Sequence, residues 1–274
     1  MIFDDLENFK QKLKLSEDKD STVRQYECYI KQFITYANIS VASEITKDIL
    51  IGYKEYMKIC FKVNTINIKI IVINSFLTYL HFDADYKLEQ LTKQQQTTLE
   101  NVLTNTDYDR LLRMADKKGK TRIKLIMKVL AETGIRISEL KYITVESAKK
   151  GISKFDSKGT VERKAFINKK LQKELLKYCA ENNITTGMIF VSRNGNPLDA
   201  AYIYREIQYI AGQARIKKSK AHPHSFRHLF AKNYLKVPGH NIEDLKNILG
   251  HKRLSTTEIY LLKTEQELKN TLER

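Results

Sequence analysis

Apolar residues along this chain recur mostly at helical spacing, with little of the alternation that marks a strand. In the first third, Val23, Tyr26, Tyr29, Ile30, Phe33, Ile34 and Ala37 fall on one face of a 3.6-residue period. Ser21 or Thr22 is placed to cap that helix. A second run spans Ile49 to Phe61, behind the capping candidate Thr46. A third, Ile66 to Leu80, is apolar on almost every side and is expected to be the most buried. The pattern predicts four short helices in a compact unit that ends near Leu91.

Residues 93–106, KQQQTTLENVLTNT, are polar, lack strong periodicity and read as a linker. A new helix is expected at Thr106-Asp107-Tyr108-Asp109, because the helix dipole favours acids in a first turn. Helical patterns continue through Ile123–Glu132 and Ile137–Tyr142. Residues 150–168 change character: Gly, Asp and Ser punctuate short β-branched and aromatic runs, which predicts a hairpin turning near Asp156–Gly159. Helical patterns return at Leu171–Asn182, Ala200–Ala214, Phe226–Leu235, Ile242–Leu249 and Ser255–Leu262. The expected fold is mainly α with a small β-sheet. It is divided into a helical domain over 1–92, a linker over 93–106 and an α+β domain over 107–274.

Composition agrees. With Gly 10 and Pro 3 in 274 residues, the chain is poor in turn formers, as a mostly helical protein is. Cys28, Cys60 and Cys179 lie far apart with no C-x-x-C spacing, which argues for buried thiols in a reducing compartment rather than disulfides or a zinc site. No apolar run approaches the roughly 18–20 residues of a membrane span. The opening MIFDDLENFK lacks the basic start of a signal peptide, so a soluble, cytoplasmic protein is expected.

Charge changes the picture. The formal net charge is +16. Residues 1–95 hold 13 of the 48 Lys+Arg and 13 of the 32 Asp+Glu, so the whole excess, 35 basic against 19 acidic, lies in residues 96–274. A basic domain of this kind suits a polyanion, most often nucleic acid.

Three segments then carry candidate chemistry. In Glu132-Thr133-Gly134-Ile135-Arg136-Ile137-Ser138-Glu139-Leu140, Gly134 interrupts one helix and Arg136 opens the next. A guanidinium beside free backbone N–H groups makes a phosphate site, and Glu139 is spaced to brace Arg136. Taken alone, the pair also reads as an ordinary surface ion pair. In Ala221-His222-Pro223-His224-Ser225-Phe226-Arg227-His228, Pro223 sits where a helix begins, so His224 and Arg227 fall one turn apart. His222, His224 and His228 admit a zinc reading, but no Cys or carboxylate nearby completes the set. A His and an Arg converging on phosphate is the better fit. In Leu249-Gly250-His251-Lys252-Arg253-Leu254-Ser255-Thr256-Thr257-Glu258-Ile259-Tyr260, Gly250 suits a helix C-cap and Ser255 or Thr256 an N-cap. Tyr260 is one of 15 tyrosines, and a phenol of pKa about 10 needs cationic neighbours to attack at neutral pH.

In this order, TGIRISEL, HPHSFRHLFA and LGHKRLSTTEIY resemble the three best-marked boxes of the tyrosine recombinase (phage integrase) family, in its Xer-like and transposon-integrase branch. The resemblance covers roughly residues 100–265. Residues 1–95 resemble the family's helical (SAM-like) core-binding domain more loosely. The resemblance implies that Arg136 and Arg227 clamp a scissile DNA phosphate, that His224 handles a proton and that His251 bonds the phosphate. It makes Tyr260 the nucleophile and Glu139 a supporting acid. The family's catalytic lysine, carried on the hairpin turn, falls on Lys158. Here Ser157 replaces the usual preceding Gly and Ala165-Phe166-Ile167 the usual Val-Pro-Leu, so Lys154 and Lys164 stay open.

The implied reaction makes a 3′-phosphotyrosine link and needs no metal or other cofactor. The implied partner is double-stranded DNA at specific recombination sites, held by a homotetramer, with accessory DNA-binding proteins and a nucleoid-associated location. Integration or excision of a mobile element, dimer resolution and DNA inversion all fit. A catalytically silent DNA-binding relative and a type IB topoisomerase are the competing readings.

Overall fold

A computed structural model of the chain describes residues 1–92, 101–155, 163–251 and 253–262. The chain divides into two compact units, Met1–Gln95 and Gln96–Arg274. Lys158, the hairpin-turn candidate, and most of the linker lie outside the described residues.

Among the described residues the first unit holds four α-helices, α1 (Ile2–Leu15), α2 (Asp20–Ala37), α3 (Lys47–Cys60) and α4 (Val63–Tyr79). α3 starts where expected: the Thr46 hydroxyl accepts from the Ile49 amide at 3.3 Å. α2 starts earlier than the sequence suggests. Lys19 takes the capping position without a side-chain bond, which leaves Ser21 and Thr22 inside the first turn. α4 is the central helix, with Ile66, Ile70, Val72, Ile73, Phe76 and Leu77 buried against α1, α2 and α3. Two asparagines on α4 fix the segment that follows it. Asn74 exchanges two hydrogen bonds with the backbone of Leu88, both 2.9 Å, and Asn67 does the same with Leu91 at 2.9 and 2.8 Å.

The second unit begins with α5 (Asn105–Lys117), one residue ahead of the expected Thr106. The reason is a reciprocal cap: the Thr104 hydroxyl accepts from the Asp107 amide at 3.0 Å, while the Asp107 carboxylate accepts from the Thr104 amide. α6 (Thr121–Thr133) is the core helix of this unit; it packs on α5, α8 (Lys169–Glu181), α9 (Ala200–Gln213) and α10 (Pro223–Leu235). α7 (Val145–Lys150) leads into an antiparallel hairpin of β1 (Ile152–Phe155) and β2 (Arg163–Phe166). Its register pairs Ile152 with Phe166 and Phe155 with Arg163. Alternation therefore turns Ser153, Phe155, Arg163 and Ala165 inward and Lys154 and Lys164 outward.

α11 (Ile242–Leu249) and α12 (Ser255–Glu258) complete the described fold. Two helical expectations are corrected here. Ile137–Tyr142 is a 3-10 helix, and Ser255–Leu262 splits into α12 and a 3-10 turn over Ile259–Leu261. Both segments are too short to gain from α-helical cooperativity, and tertiary contacts set their winding. Neither Ser255 nor Thr256 caps α12; Leu254 occupies that position, in helical conformation. No helix among the described residues is long and apolar enough to cross a membrane.

Candidate active site

Two glycines fix the frame of the site. Gly134 ends α6 and Gly250 ends α11, with φ of 64° and 63°, the left-handed region that side chains resist. Both also make room. A Cβ on Gly134 would stand 2.4 Å from the Phe230 ring, and one on Gly250 would stand 2.5 Å from Cδ of Arg163. The two helix C-termini thus bring bare carbonyls into one region, and three arginines take them.

Arg227, on α10, is 1% exposed. Its Nη1 donates to the Gly134 carbonyl at 2.6 Å, and its Nη2 donates to the Leu249 carbonyl at 2.6 Å. Nη2 also meets Nε2 of His251 at 3.0 Å. Arg136 follows Gly134 in extended conformation, and its backbone amide donates to Glu139 at 2.7 Å. Its guanidinium pairs with Glu139 at 3.0 Å and reaches the Gly250 carbonyl at 3.3 Å, with 43% of the side chain still exposed. Arg163, buried at the start of β2, bonds Glu139 and donates from Nε to the Ile248 carbonyl at 2.8 Å. Helix C-termini carry partial negative charge, so they hold cations without neutralising them. Against three guanidiniums the described site brings one carboxylate, Glu139. Among the described residues the two Nη atoms of Arg227 are the ones that reach carbonyls, while a hydrogen bond from Arg227 helps to hold the Tyr260 phenol down.

The imidazoles and the phenol close the site. His224, in the first turn of α10, is exposed and meets His228 ring to ring at 4.6 Å. His228 lies 4.9 Å from the ring of Tyr260, and His251 stacks on the same ring at 6.1 Å. Tyr260 is 4% exposed and packs with Ala231, Leu245 and Leu249.

The electrostatics follow from this surplus of cations. Burial, and then the charges of Arg136 and Arg163, bring Arg227 down to about 10, so it stays protonated at neutral pH. Burial and the nearby arginines hold His251 down at about 4. His228 is also held at about 4, by burial and then by His224 and His222. His224 is lowered by desolvation, then by Arg227, His222 and Arg136. Burial raises the Tyr260 phenol, and the charges of Arg227 and Arg136 oppose that rise. A bound anion would reverse the Coulombic part of each imidazole shift.

The structure therefore brings Arg136, Glu139, Arg227, His251 and Tyr260 together, with His224 at the edge. Lys154 and Lys164 stand opposite each other on the exposed face of the hairpin. Among the described residues, no three His, Cys, Asp or Glu side chains converge as a metal site. Sequence reasoning missed Arg163 and Thr257. The strand alternation around Phe155 and Ala165 was the available signal for Arg163, because it turns position 163 inward. Nothing local distinguishes Thr257 from its neighbours.

Fixed guanidiniums, imidazoles and one phenol thus share one cationic region suited to holding an anion. The family model for the phage integrase family matches residues 101–267. The chain is 28% identical over 277 residues to tyrosine recombinase XerA of Pyrococcus furiosus, covering 98% of this chain and 93% of the relative. Among solved structures it resembles the XerH site-specific recombinase bound to difH substrate in a pre-cleavage complex. There the TM-score is 0.72 at 20% identity, over 98% of this chain and 82% of that one. It likewise resembles the Tn1549 transposon integrase in complex with circular intermediate DNA, with a TM-score of 0.73 at 17% identity, over 98% and 99% of the two chains. The chain belongs to the phage integrase family, as a tyrosine recombinase.

Proposed function

We propose that this chain cuts and rejoins double-stranded DNA at specific sites, with Tyr260 as the nucleophile. The observation that carries the reading is the surplus of positive charge around Arg227: a buried guanidinium held by carbonyls, beside Arg136, His251 and a buried phenol. A DNA phosphodiester supplies the missing negative charge.

Each side chain then has one task. The Tyr260 oxygen attacks phosphorus in line, and His224 accepts the phenolic proton. Arg136, Arg227 and His251 stabilise the charge growing on the non-bridging oxygens. The bond to the 5′-oxygen breaks, and Lys158 protonates that leaving group. Lys154 and Lys164 are less suited, since they face out from the hairpin. Glu139 holds Arg136 in place through its backbone and its guanidinium. The phosphotyrosine keeps the energy of the bond it replaces, so a 5′-hydroxyl of another strand can reverse the attack and exchange strands.

Exchange needs two DNA sites, and so a tetramer of this chain on paired sites, with accessory DNA-binding proteins where a site demands them. The cytoplasm, on the nucleoid, is the setting of such a reaction. The first unit supplies the second half of the grip on DNA. Integration and excision of a mobile element or resolution of dimers is the role we favour; a nicked suicide duplex tests the chemistry. Wild type is expected to form a DNA-linked species and Tyr260→Phe none. An unchanged yield in Tyr260→Phe would sink the assignment, and site-independent plasmid relaxation would favour a topoisomerase.

A further inference from the structure

His251 is held at both ring nitrogens. Nε2 meets Nη2 of Arg227 at 3.0 Å, and Nδ1 meets the hydroxyl of Thr257 at 2.9 Å. A guanidinium nitrogen only donates, so Nε2 must be the acceptor and the ring proton must sit on Nδ1. Thr257 therefore accepts that proton. It is 0% exposed, so no solvent replaces its hydroxyl. This arrangement is the wrong one for bonding a phosphate oxygen, which needs a proton on Nε2. A threonine hydroxyl can serve either state, because it both donates and accepts.

We propose that Thr257 is the positioning residue of His251. Its hydroxyl accepts the Nδ1 proton while Arg227 occupies Nε2, and it rotates to donate to Nδ1 once a phosphate oxygen takes an Nε2–H. In that change the half-buried ring swings off Thr257 to exchange protons with solvent, loses Nδ1–H and gains Nε2–H, so it stays neutral and the proton count is unchanged. Tyr260 stacks on the ring at 6.1 Å, and the charges of Arg227, Arg136, Arg163 and His224 all disfavour a charged imidazole. Thr257 lies on α12, three residues before Tyr260, so it also ties the state of His251 to the segment that carries the phenol.

The free-state half of this proposal stands on geometry alone; the phosphate-bound half rests on the reading of His251 as a phosphate ligand. Nitrogen-15 spectra of the histidine rings test it, recorded with and without a nicked duplex, for wild type, Thr257→Ser and Thr257→Val. Without DNA, wild type and Thr257→Ser are expected to show His251 as the Nδ1–H tautomer, and with DNA as Nε2–H. Thr257→Val is expected to lose the single tautomer and about tenfold in suicide-substrate cleavage, with Thr257→Ser recovering to within about threefold of wild type. An Nε2–H ring in DNA-free wild type overturns the proposal without any variant. So does a valine variant that matches wild type in both tautomer and cleavage. If Tyr260→Phe still links to DNA, the assignment of Tyr260 as nucleophile fails while the free-state tautomer result stands.

Discussion

The two units hold their buried cations in different ways. In the first, Asn67 and Asn74 spend amide donor and acceptor alike on the backbone of Leu91 and Leu88. Its buried Lys69 bonds Gln32 and lies over the rings of Phe61, at 4.0 Å, and Tyr29, at 5.0 Å. Burial lowers the pKa of that lysine, an amine that can shed its charge. In the second unit the buried cations are Arg163 and Arg227, which cannot. Helix-end carbonyls hold them. Satisfied amides pin a fold, whereas carbonyl-bound guanidiniums keep their positive charge.

The contrast breaks most visibly at Arg227. Arg227→Ala is expected to cost roughly 10²–10³-fold in suicide-substrate cleavage, the loss typical of one electrostatic donor. Arg227→Lys keeps a charge but loses the fork that spans the Gly134 and Leu249 carbonyls, so cleavage should remain far below wild type. Lysine restoring wild-type cleavage would show that charge alone matters.

Next comes the first unit's core. Phe76→Ala should destabilise that unit by about 3–5 kcal/mol in chemical denaturation, as for other buried Phe truncations. The ring titrations of His228 and His251 should not move. A shift in them would erase the distinction between a packing unit and a charge-storing unit.

The smallest expected effect is on acid stability. His228 and His251 are neutral in the fold, with pKa values near 4 against an ordinary 6.5. The unfolded chain binds protons more readily, so stability is full above pH 6.5 and falls as pH drops toward about 4. Thermal melts of the second unit across that window, compared with those of His228→Phe, measure it. The variant should lose part of the slope; an identical slope would mean that His228 is not buried neutral.

Much of this was legible in the sequence because it is local. Gly134 and Gly250 announce helix ends by their conformational freedom, Pro223 opens a helix, and Thr46 caps one. The order of Arg136, His224, Arg227, His251 and Tyr260 was readable through family resemblance. What escaped is tertiary. Strand alternation marks Arg163 as inward-facing, but its partners, Glu139 and the end of α11, come only from the tertiary fold. Thr257 gains its place only when α12 brings its hydroxyl to His251. Helix starts slipped by a residue or two where caps compete, as Thr104 did with Thr106.

The central claim is that the charge stored around Arg227 serves a covalent step at Tyr260. The most direct test is to trap the chain on a nicked duplex, digest the adduct with protease and nuclease, and locate the modified residue by mass spectrometry. A nucleotide phosphate is expected on Tyr260, in the peptide that contains it. A phosphate on another residue, or no adduct from a chain that binds the same duplex, would contradict it.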